Sequence, residues 1–357
     1  MSADTSAVAE STATRGLDDR SVRILRYAAG STIAMAVAMG INWQLSFLTP
    51  VLSLSFLASP APRPTFKQGT AFLGTIAVAC LAGLALGKYL ISYPVVYVPF
   101  AGLVMLRLFY YKASGRSPML TTWLLIALLV IPLITITSPT IASMVSIGIL
   151  VSAAATVCVI WVTHALLPDP PAAPAPNAGG AAAAAQTDVP PAMERFKTAA
   201  ISTLVVLPLL TLFYAFKLQS ALLILVFVAL LTSQPGFATN FKAGAALIIG
   251  NIMGGVAAIL MYELLVMMPE FYFLLMLTFL AGLVFGVRVF SGSPTAKLWG
   301  MAFSTLVLVI GSTTASGSGE AGSKVYTRVA QIAIAVVYVV MAFGVADRFV
   351  RRKEGAA

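Results

Sequence analysis

The sequence predicts an all-α membrane protein with about twelve transmembrane helices, arranged as two parallel six-helix repeats. Three observations lead to this class, and the first is composition: 59% of the 357 residues are apolar and only 10% are charged, whereas a soluble domain carries about 25% charged residues. The second is that apolar runs long enough to cross a bilayer core of about 30 Å recur from Val22 to Val350. The third is that the chain matches itself at a fixed shift.

A shift of 175 residues brings the second part of the chain onto the first. The pairs that coincide are Gln44 with Gln219, Pro60 with Pro235, Phe66-Lys67 with Phe241-Lys242, Gly69 with Gly244, Pro94 with Pro269, Tyr97 with Tyr272 and, one residue later, Ser117-Pro118 with Ser293-Pro294 and Trp123 with Trp299. Internal repetition in an apolar chain is typical of transporter folds, whose substrate site lies where the repeats meet.

The apolar runs are predicted to be helices, because the strands of a closed barrel would alternate apolar and polar residues and these runs are apolar on all sides. The first repeat is expected to contain Val22–Met39, Trp43–Ala58, Phe66–Leu90, Tyr93–Tyr110, Pro118–Ile136 and Thr140–Leu166. The second is expected to contain Phe196–Phe216, Leu218–Leu231, Phe241–Leu265, Phe271–Phe290, Pro294–Ile310 and Val325–Val350.

The remaining residues divide the chain into domains. Residues 1–21 are polar and have no apolar core or cleavage site, so they predict a disordered cytoplasmic N-terminus and not a signal peptide. Pro168–Glu194 holds seven prolines and ten alanines, which is typical of a semi-extended linker. The membrane repeats are then residues 22–167 and 195–350, and residues 351–357 form a cytoplasmic tail.

The distribution of lysine and arginine predicts the orientation in a bacterial inner membrane. With the N-terminus in the cytoplasm, 18 of the 22 basic residues lie on the cytoplasmic side, and only Lys88, Lys217, Lys324 and Arg328 lie on the other. This bias favours both termini inside. Because the equivalent loops around Lys67 and Lys242 must share one side, each repeat has an even number of spans, and the repeats are parallel.

The second span of each repeat is predicted to mark the transport site. Trp43–Ala58 and Leu218–Leu231 have 16 and 14 residues, which at 1.5 Å per residue cover only about 20–25 Å. Short or broken spans at corresponding places free backbone groups that can meet a polar substrate. The alternative is that the bilayer thins around short helices. Gln44 and Gln219, at the entries to these helices, are the pathway candidates, while Trp43 is either an interfacial anchor or part of the path.

Four further residues are candidates for the pathway. Lys67 and Lys242 open the third span of each repeat, and either attract an anion together at the axis between repeats or only snorkel to the interface. Arg328 begins the last span, where it either attracts the anion or only snorkels to the interface. Asn251 is a polar amide deep within a span, where it joins neighbouring helices or faces the path.

Several function classes are excluded by what the sequence contains. His164 is the only histidine, and Cys80 and Cys158 are isolated in apolar spans, so we expect no metal site and no cofactor. A phosphate-binding Gly-Lys-Ser/Thr loop is not found, which argues against ATP hydrolysis. The net charge of +10 lies in short loops between spans, so it indicates membrane orientation and not a nucleic-acid partner. We expect no enzymatic activity.

A family resemblance is carried by Asn42 to Gly87, which reads NWQLSFLTPVLSLSFLASPAPRPTFKQGTAFLGTIAVACLAGLALG. The pattern of a Trp, a Leu/Thr/Pro run, a short loop, a basic residue, and Gly-Thr with spaced glycines resembles the membrane domain of the fusaric acid resistance protein family. That family includes bacterial aromatic acid exporters, and plant aluminium-activated malate channels belong to the same broad group. The resemblance implies two six-span modules that enclose one path at their interface.

The expected function is therefore efflux of small organic, mainly aromatic, acids or related toxic compounds across the inner membrane. The excess of basic residues suits an anionic substrate, and the membrane potential or a proton gradient would drive export. Two alternatives are a passive anion channel and a membrane subunit that scaffolds a periplasmic adaptor. The expected partners are the organic anion, membrane lipid and, in the last alternative, the adaptor.

The orientation can be tested in intact cells. Cysteines placed in the linker Pro168–Glu194 are expected to resist an impermeant thiol reagent, because the linker lies in the cytoplasm. The measurement is mass-tag labelling of the protein before and after lysis. Labelling from outside would contradict both the topology and the parallel repeat.

Overall fold

A computed structural model describes most of the helical part of the chain. The described residues are 19–43, 45–59, 63–115, 118–168, 191–218, 222–232, 241–314 and, with gaps, 326–344. Within these residues the secondary structure is helical, as the composition predicts.

The helices fall into two segments that flank the linker. The N-terminal segment consists of α1 (Asp19–Ile41), α2 (Leu48–Leu57), α3 (Phe66–Tyr89), α4 (Pro94–Ala113), α5 (Pro118–Thr137) and α6 (Pro139–Leu166). The C-terminal segment consists of α7 (Ala192–Phe216), α8 (Leu222–Thr232), α9 (Phe241–Met267), α10 (Phe271–Val289), α11 (Ala296–Thr314) and the partly described α12 (Val329–Val339).

Local sequence explains several of the helix starts. Thr65 caps α3 through a capping box, in which its hydroxyl accepts from the Gln68 amide and the Gln68 side chain accepts from the Thr65 amide. Ser138 caps α6, and Pro94 begins α4 at a position where a missing N–H costs nothing. These signals account for starts that lie within one residue of the predicted ones.

Nine helices within the described residues are long and apolar enough to cross a membrane. The helices α2, α8 and α12 are shorter, and the ten residues of α2 extend only about 15 Å. Twelve full spans are therefore not found in the described residues. The chain is compatible with a multi-pass membrane protein.

Glycines bring helices close together within each segment. A Cβ atom added at Gly83 of α3 would lie 2.8 Å from the Ala127 carbonyl oxygen of α5. A Cβ atom added at Gly250 of α9 would lie 3.0 Å from the Leu298 carbonyl oxygen of α11. The third and fifth helices of both segments are thus in backbone contact, which is typical of membrane helix pairs.

The two segments pack through helix pairs that correspond to each other. Helix α1 packs on α10 and α4 packs on α7, while α2 contacts α11 and α5 contacts α8. Arg20 of α1 donates to the Val287 carbonyl oxygen of α10 at 3.1 Å. Arg195 of α7 donates to the Ser114 hydroxyl at the end of α4 at 2.9 Å. These two arginines stand 175 residues apart, the same shift as the sequence repeat.

One of the matched sequence pairs does not share an environment. Tyr97 is fully buried against Tyr214, with ring centroids 5.7 Å apart, whereas Tyr272 is 77% exposed. In α4 the tyrosine faces the other segment, while in α10 the residues facing α1 begin further along the helix, with Gly282 and Gly286. The match of Tyr97 with Tyr272 therefore does not mark equivalent packing.

The contact between the segments can be tested by replacing each of two glycines with alanine, which adds one methyl group at each position. Gly282→Ala is expected to lower stability by about 1–3 kcal/mol, because its Cβ would lie 2.7 Å from the Ala28 Cα atom of α1. Gly74→Ala in α3 is the control, since nothing lies within 4 Å of the added atom. Thermal unfolding in detergent measures both, and equal midpoints for the two variants would contradict the close packing of α1 on α10.

Candidate functional site

The chain breaks sharply between α1 and α2. Asn42 and Leu45 have φ angles of 51° and 63°, in the left-handed region that residues other than glycine seldom adopt. The Ser46 amide donates to the Trp43 carbonyl and the Leu48 amide to the Leu45 carbonyl, which closes a compact turn. We call residues 42–47 the α1–α2 turn. The predicted helix Trp43–Ala58 is therefore wrong at its start, because these residues form the turn and α2 begins at Leu48.

Ser152 of α6 holds this turn. The indole N–H of Trp43 donates to the Ser152 hydroxyl at 2.9 Å, and that hydroxyl donates to the Leu45 carbonyl at 3.0 Å. Ser152 lies near the middle of α6, about 20 Å from each end of a helix long enough to span the membrane. One buried hydroxyl thus accepts from the Trp43 indole and gives the Leu45 carbonyl a second donor beside the Leu48 amide.

A second set of bonds fastens α2 to the same face of α6. The Thr49 hydroxyl donates to the Ser152 carbonyl at 3.3 Å, and the Thr156 hydroxyl lies 3.3 Å from the Thr49 carbonyl. Ser152 and Thr156 are four residues apart and so lie on one face of α6. The sequence-based candidates did not include Ser46, Thr49, Ser152 or Thr156. The four-residue spacing of Ser152 and Thr156 in the middle of α6 is the signal that could have indicated two of them.

The start of α2 offers few free backbone donors. The amides of Leu48 and Thr49 donate to the carbonyls of Leu45 and Ser46, and Pro50 has no N–H. The expectation that the broken helix exposes backbone groups to a substrate is thus not met at these three positions. What the turn does offer is the Ser46 hydroxyl, which is fully buried and has no hydrogen-bond partner among the described residues.

The turn faces the C-terminal segment. Phe47 packs on Gly311 of α11, where an added Cβ would lie 3.0 Å from the Phe47 Cβ atom. Further along α1, the Tyr27 ring lies 5.4 Å from Phe303 and 5.7 Å from Phe290, and its hydroxyl is also buried without a partner among the described residues. A third buried polar atom without a hydrogen-bond partner among the described residues is Nε of Arg195, at the corresponding α4–α7 contact. Two unsatisfied buried hydroxyls therefore lie where α1 and its turn meet the other segment.

Three of the predicted site residues can be placed by their contacts. Trp43 is half-buried, and its indole N–H is bonded to Ser152 near the middle of α6. Asn251 is buried between α9 and α11, where its Oδ1 accepts from the Thr305 hydroxyl at 2.7 Å, a bond that joins the two helices. Lys67 is exposed in the first turn of α3, which packs on α5 and α6. These three residues are not brought together.

The other predicted site residues lie outside the described part of the chain. They are Gln44, Gln219 and Arg328, together with the side chain of Lys242. The residue that ends α7 is nevertheless described, because Lys217 has a φ angle of 51°. Asn42 ends α1 with the same φ angle exactly one repeat shift earlier. Both segments therefore leave their first helix through the same left-handed conformation.

Comparison with known proteins gives one finding. Residues 23–163 match the model of a family described only as a protein of unknown function, DUF2955. The matched stretch runs from α1 almost to the end of α6, so it corresponds to the six helices of the N-terminal segment. No curated protein and no solved structure matches the chain. The resemblance to the fusaric acid resistance family stays a prediction from the sequence.

Two buried serines of α6 provide a matched test of the turn. Ser152→Ala is expected to lower stability by about 1–3 kcal/mol, because the buried Trp43 indole loses its acceptor and the Leu45 carbonyl loses one of its two donors. Ser146→Ala should be nearly neutral, since its hydroxyl only donates to the Ala142 carbonyl of its own helix. Thermal unfolding of both variants in detergent measures the difference, and an equal effect would contradict the role of Ser152.

Proposed function

We propose that this protein is an inner-membrane transporter that exports small organic, mainly aromatic, acids. In this proposal the chain forms two parallel six-helix repeats related by an axis along the membrane normal, with both termini in the cytoplasm. The substrate path lies between the repeats, beside the α1–α2 turn and its counterpart after α7. The membrane potential or a proton gradient drives export.

The paired contacts between the segments support the two-repeat arrangement. Each pair joins the first helix of one segment to the fourth helix of the other, and the second helix of one to the fifth of the other. Arg20 and Arg195 cross this boundary at equivalent positions. The match of residues 23–163 to a single family model also favours a unit of six helices. Parallel repeats with these contacts have their axis at the boundary between the segments.

The unsatisfied hydroxyl of Ser46 is the observation that carries the proposal of a path at this boundary. A fully buried hydroxyl without a partner costs roughly 1–3 kcal/mol, and such groups are rare unless water or a ligand reaches them. Ser46 lies in a turn with two left-handed residues, next to Phe47 at the contact with Gly311. Conformations of this kind cluster at ligand sites and moving elements.

Charge supports an anionic substrate. The chain has 22 basic and 12 acidic residues, and its basic residues concentrate at the ends of the helices that the orientation rule places inside. An excess of positive charge at the entrance raises the local concentration of an anion. The aromatic character of the substrate rests on the family resemblance alone. Lys67, Lys242, Gln44 and Gln219 stay candidates for the path.

The proposal is tested by flux through the purified protein. Proteoliposomes with an imposed membrane potential are expected to accumulate a labelled aromatic carboxylate. Ser46→Ala should reduce this uptake several-fold while leaving thermal stability unchanged or slightly raised, because the hydroxyl makes no hydrogen bond to the described residues. Ser53→Ala is the matched control in α2, since the Ser53 hydroxyl is already bonded to the Thr49 carbonyl.

Three outcomes would contradict parts of the proposal. Uptake that only follows the concentration gradient after a protonophore would indicate a passive channel. No flux from a well-folded protein would indicate a non-transporting subunit. Equal uptake by Ser46→Ala and the wild type would place the path away from the α1–α2 turn.

A further inference from the structure

A second surface with its own chemistry lies where α3 begins and α6 ends. A cleft of about 350 Å³ is lined by Arg63, Pro64, Thr65, Phe66 and Trp161. The Trp161 indole donates to the Pro64 carbonyl at 3.0 Å, and its ring stacks on Phe66 with centroids 5.7 Å apart. The loop before α3 is thereby fixed against α6, and the Arg63 side chain is left exposed at the rim.

The position of this cleft along α3 matches the level of lipid headgroups. Lys67 in the first turn and Lys88 in the last turn of α3 are 21 residues apart, which corresponds to about 32 Å. That length matches a hydrocarbon core of about 30 Å. At the far end, Lys88 lies over the Tyr89 ring at 5.4 Å, an arrangement typical of the interfacial belt. The cleft, at the near end, is then level with the headgroups of the other leaflet.

The cleft opens onto the outer surface of the helix bundle and not onto the boundary between the segments. In the part of the chain that the structure describes, the main contacts of α3 are with α5 and α6 of its own segment. Its other face carries large exposed apolar side chains, with Phe66 at 72%, Val78 at 57% and Leu81 at 67% exposure. Such a face is suited to acyl chains. The proposed substrate path lies at α1, α2 and α11, which are not among the main contacts of α3.

We infer that this cleft binds the headgroup of an anionic phospholipid. Arg63 supplies the cation for the phosphate at the rim of the cleft, and arginine is suited to several hydrogen bonds with one phosphate group. The Phe66 and Trp161 rings cover the glycerol region, and the acyl chains lie along the exposed face of α3. The lipid fastens the α2–α3 loop to the end of α6 and so stabilises the segment that carries the α1–α2 turn.

The inference does not depend on transport and is tested by lipid retention. The full chain is placed in nanodiscs of phosphatidylcholine mixed with phosphatidylglycerol, and the lipids that stay bound are counted by native mass spectrometry. The wild type is expected to retain phosphatidylglycerol in preference to phosphatidylcholine. Arg63→Gln should reduce this preference about fivefold, because one cation near an anionic lipid contributes about 1 kcal/mol to binding. Arg63→Lys should keep most of the preference.

Arg107→Gln is the control, because Arg107 is an exposed basic residue of α4 outside the cleft, and it should not change the preference. Equal retention by wild type and Arg63→Gln would overturn the inference. So would full displacement of phosphatidylglycerol by soluble glycerol phosphate, which would show a site for the ion alone. Displacement by an aromatic carboxylate would assign the cleft to the substrate instead.

Discussion

In the core of a membrane, a helix that stops early leaves amide and carbonyl groups that water does not reach. This constraint shapes the region between α1 and α2. Two left-handed residues let the chain reverse, the Ser46 amide bonds within the turn, and the Ser152 hydroxyl bonds to the Trp43 indole and the Leu45 carbonyl. Among the described residues the buried Ser46 hydroxyl has no hydrogen-bond partner, and the proposed function rests on it.

The same constraint connects the turn to the rest of the molecule. Helix α6 bonds to α2 through the Ser152 carbonyl and the Thr156 hydroxyl, and α2 also contacts α11. The turn before α2 is thus connected to both segments. The contact of α1 with α10 and that of α4 with α7 each join the first helix of one segment to the fourth helix of the other. The boundary between the segments therefore contains two equivalent helix contacts. A path along this boundary would be lined by both segments, with the turn on one side and the region after Lys217 on the other.

Much of the fold could be predicted from sequence because it depends on local signals. Helices α3 to α6 begin and end within three residues of the predicted bounds, since caps, prolines and charges mark their ends. The predicted start of α2 was wrong because the apolar residues Trp43, Leu45 and Phe47 were included in the span, whereas the left-handed backbone of Asn42 and Leu45 makes a turn there. The bond between Ser152 and Leu45 joins residues 107 positions apart, so no local pattern could indicate it.

The central claim is that Ser46 faces a water-accessible path between the segments, and cysteine accessibility tests it most directly. In a background with Cys80→Ala and Cys158→Ala, Ser46→Cys is expected to react with a small methanethiosulfonate reagent in proteoliposomes. A transported aromatic acid should slow that reaction. Ser53→Cys, on the bonded side of α2, should stay unreactive. A Ser46→Cys protein that folds normally and never reacts would contradict the account.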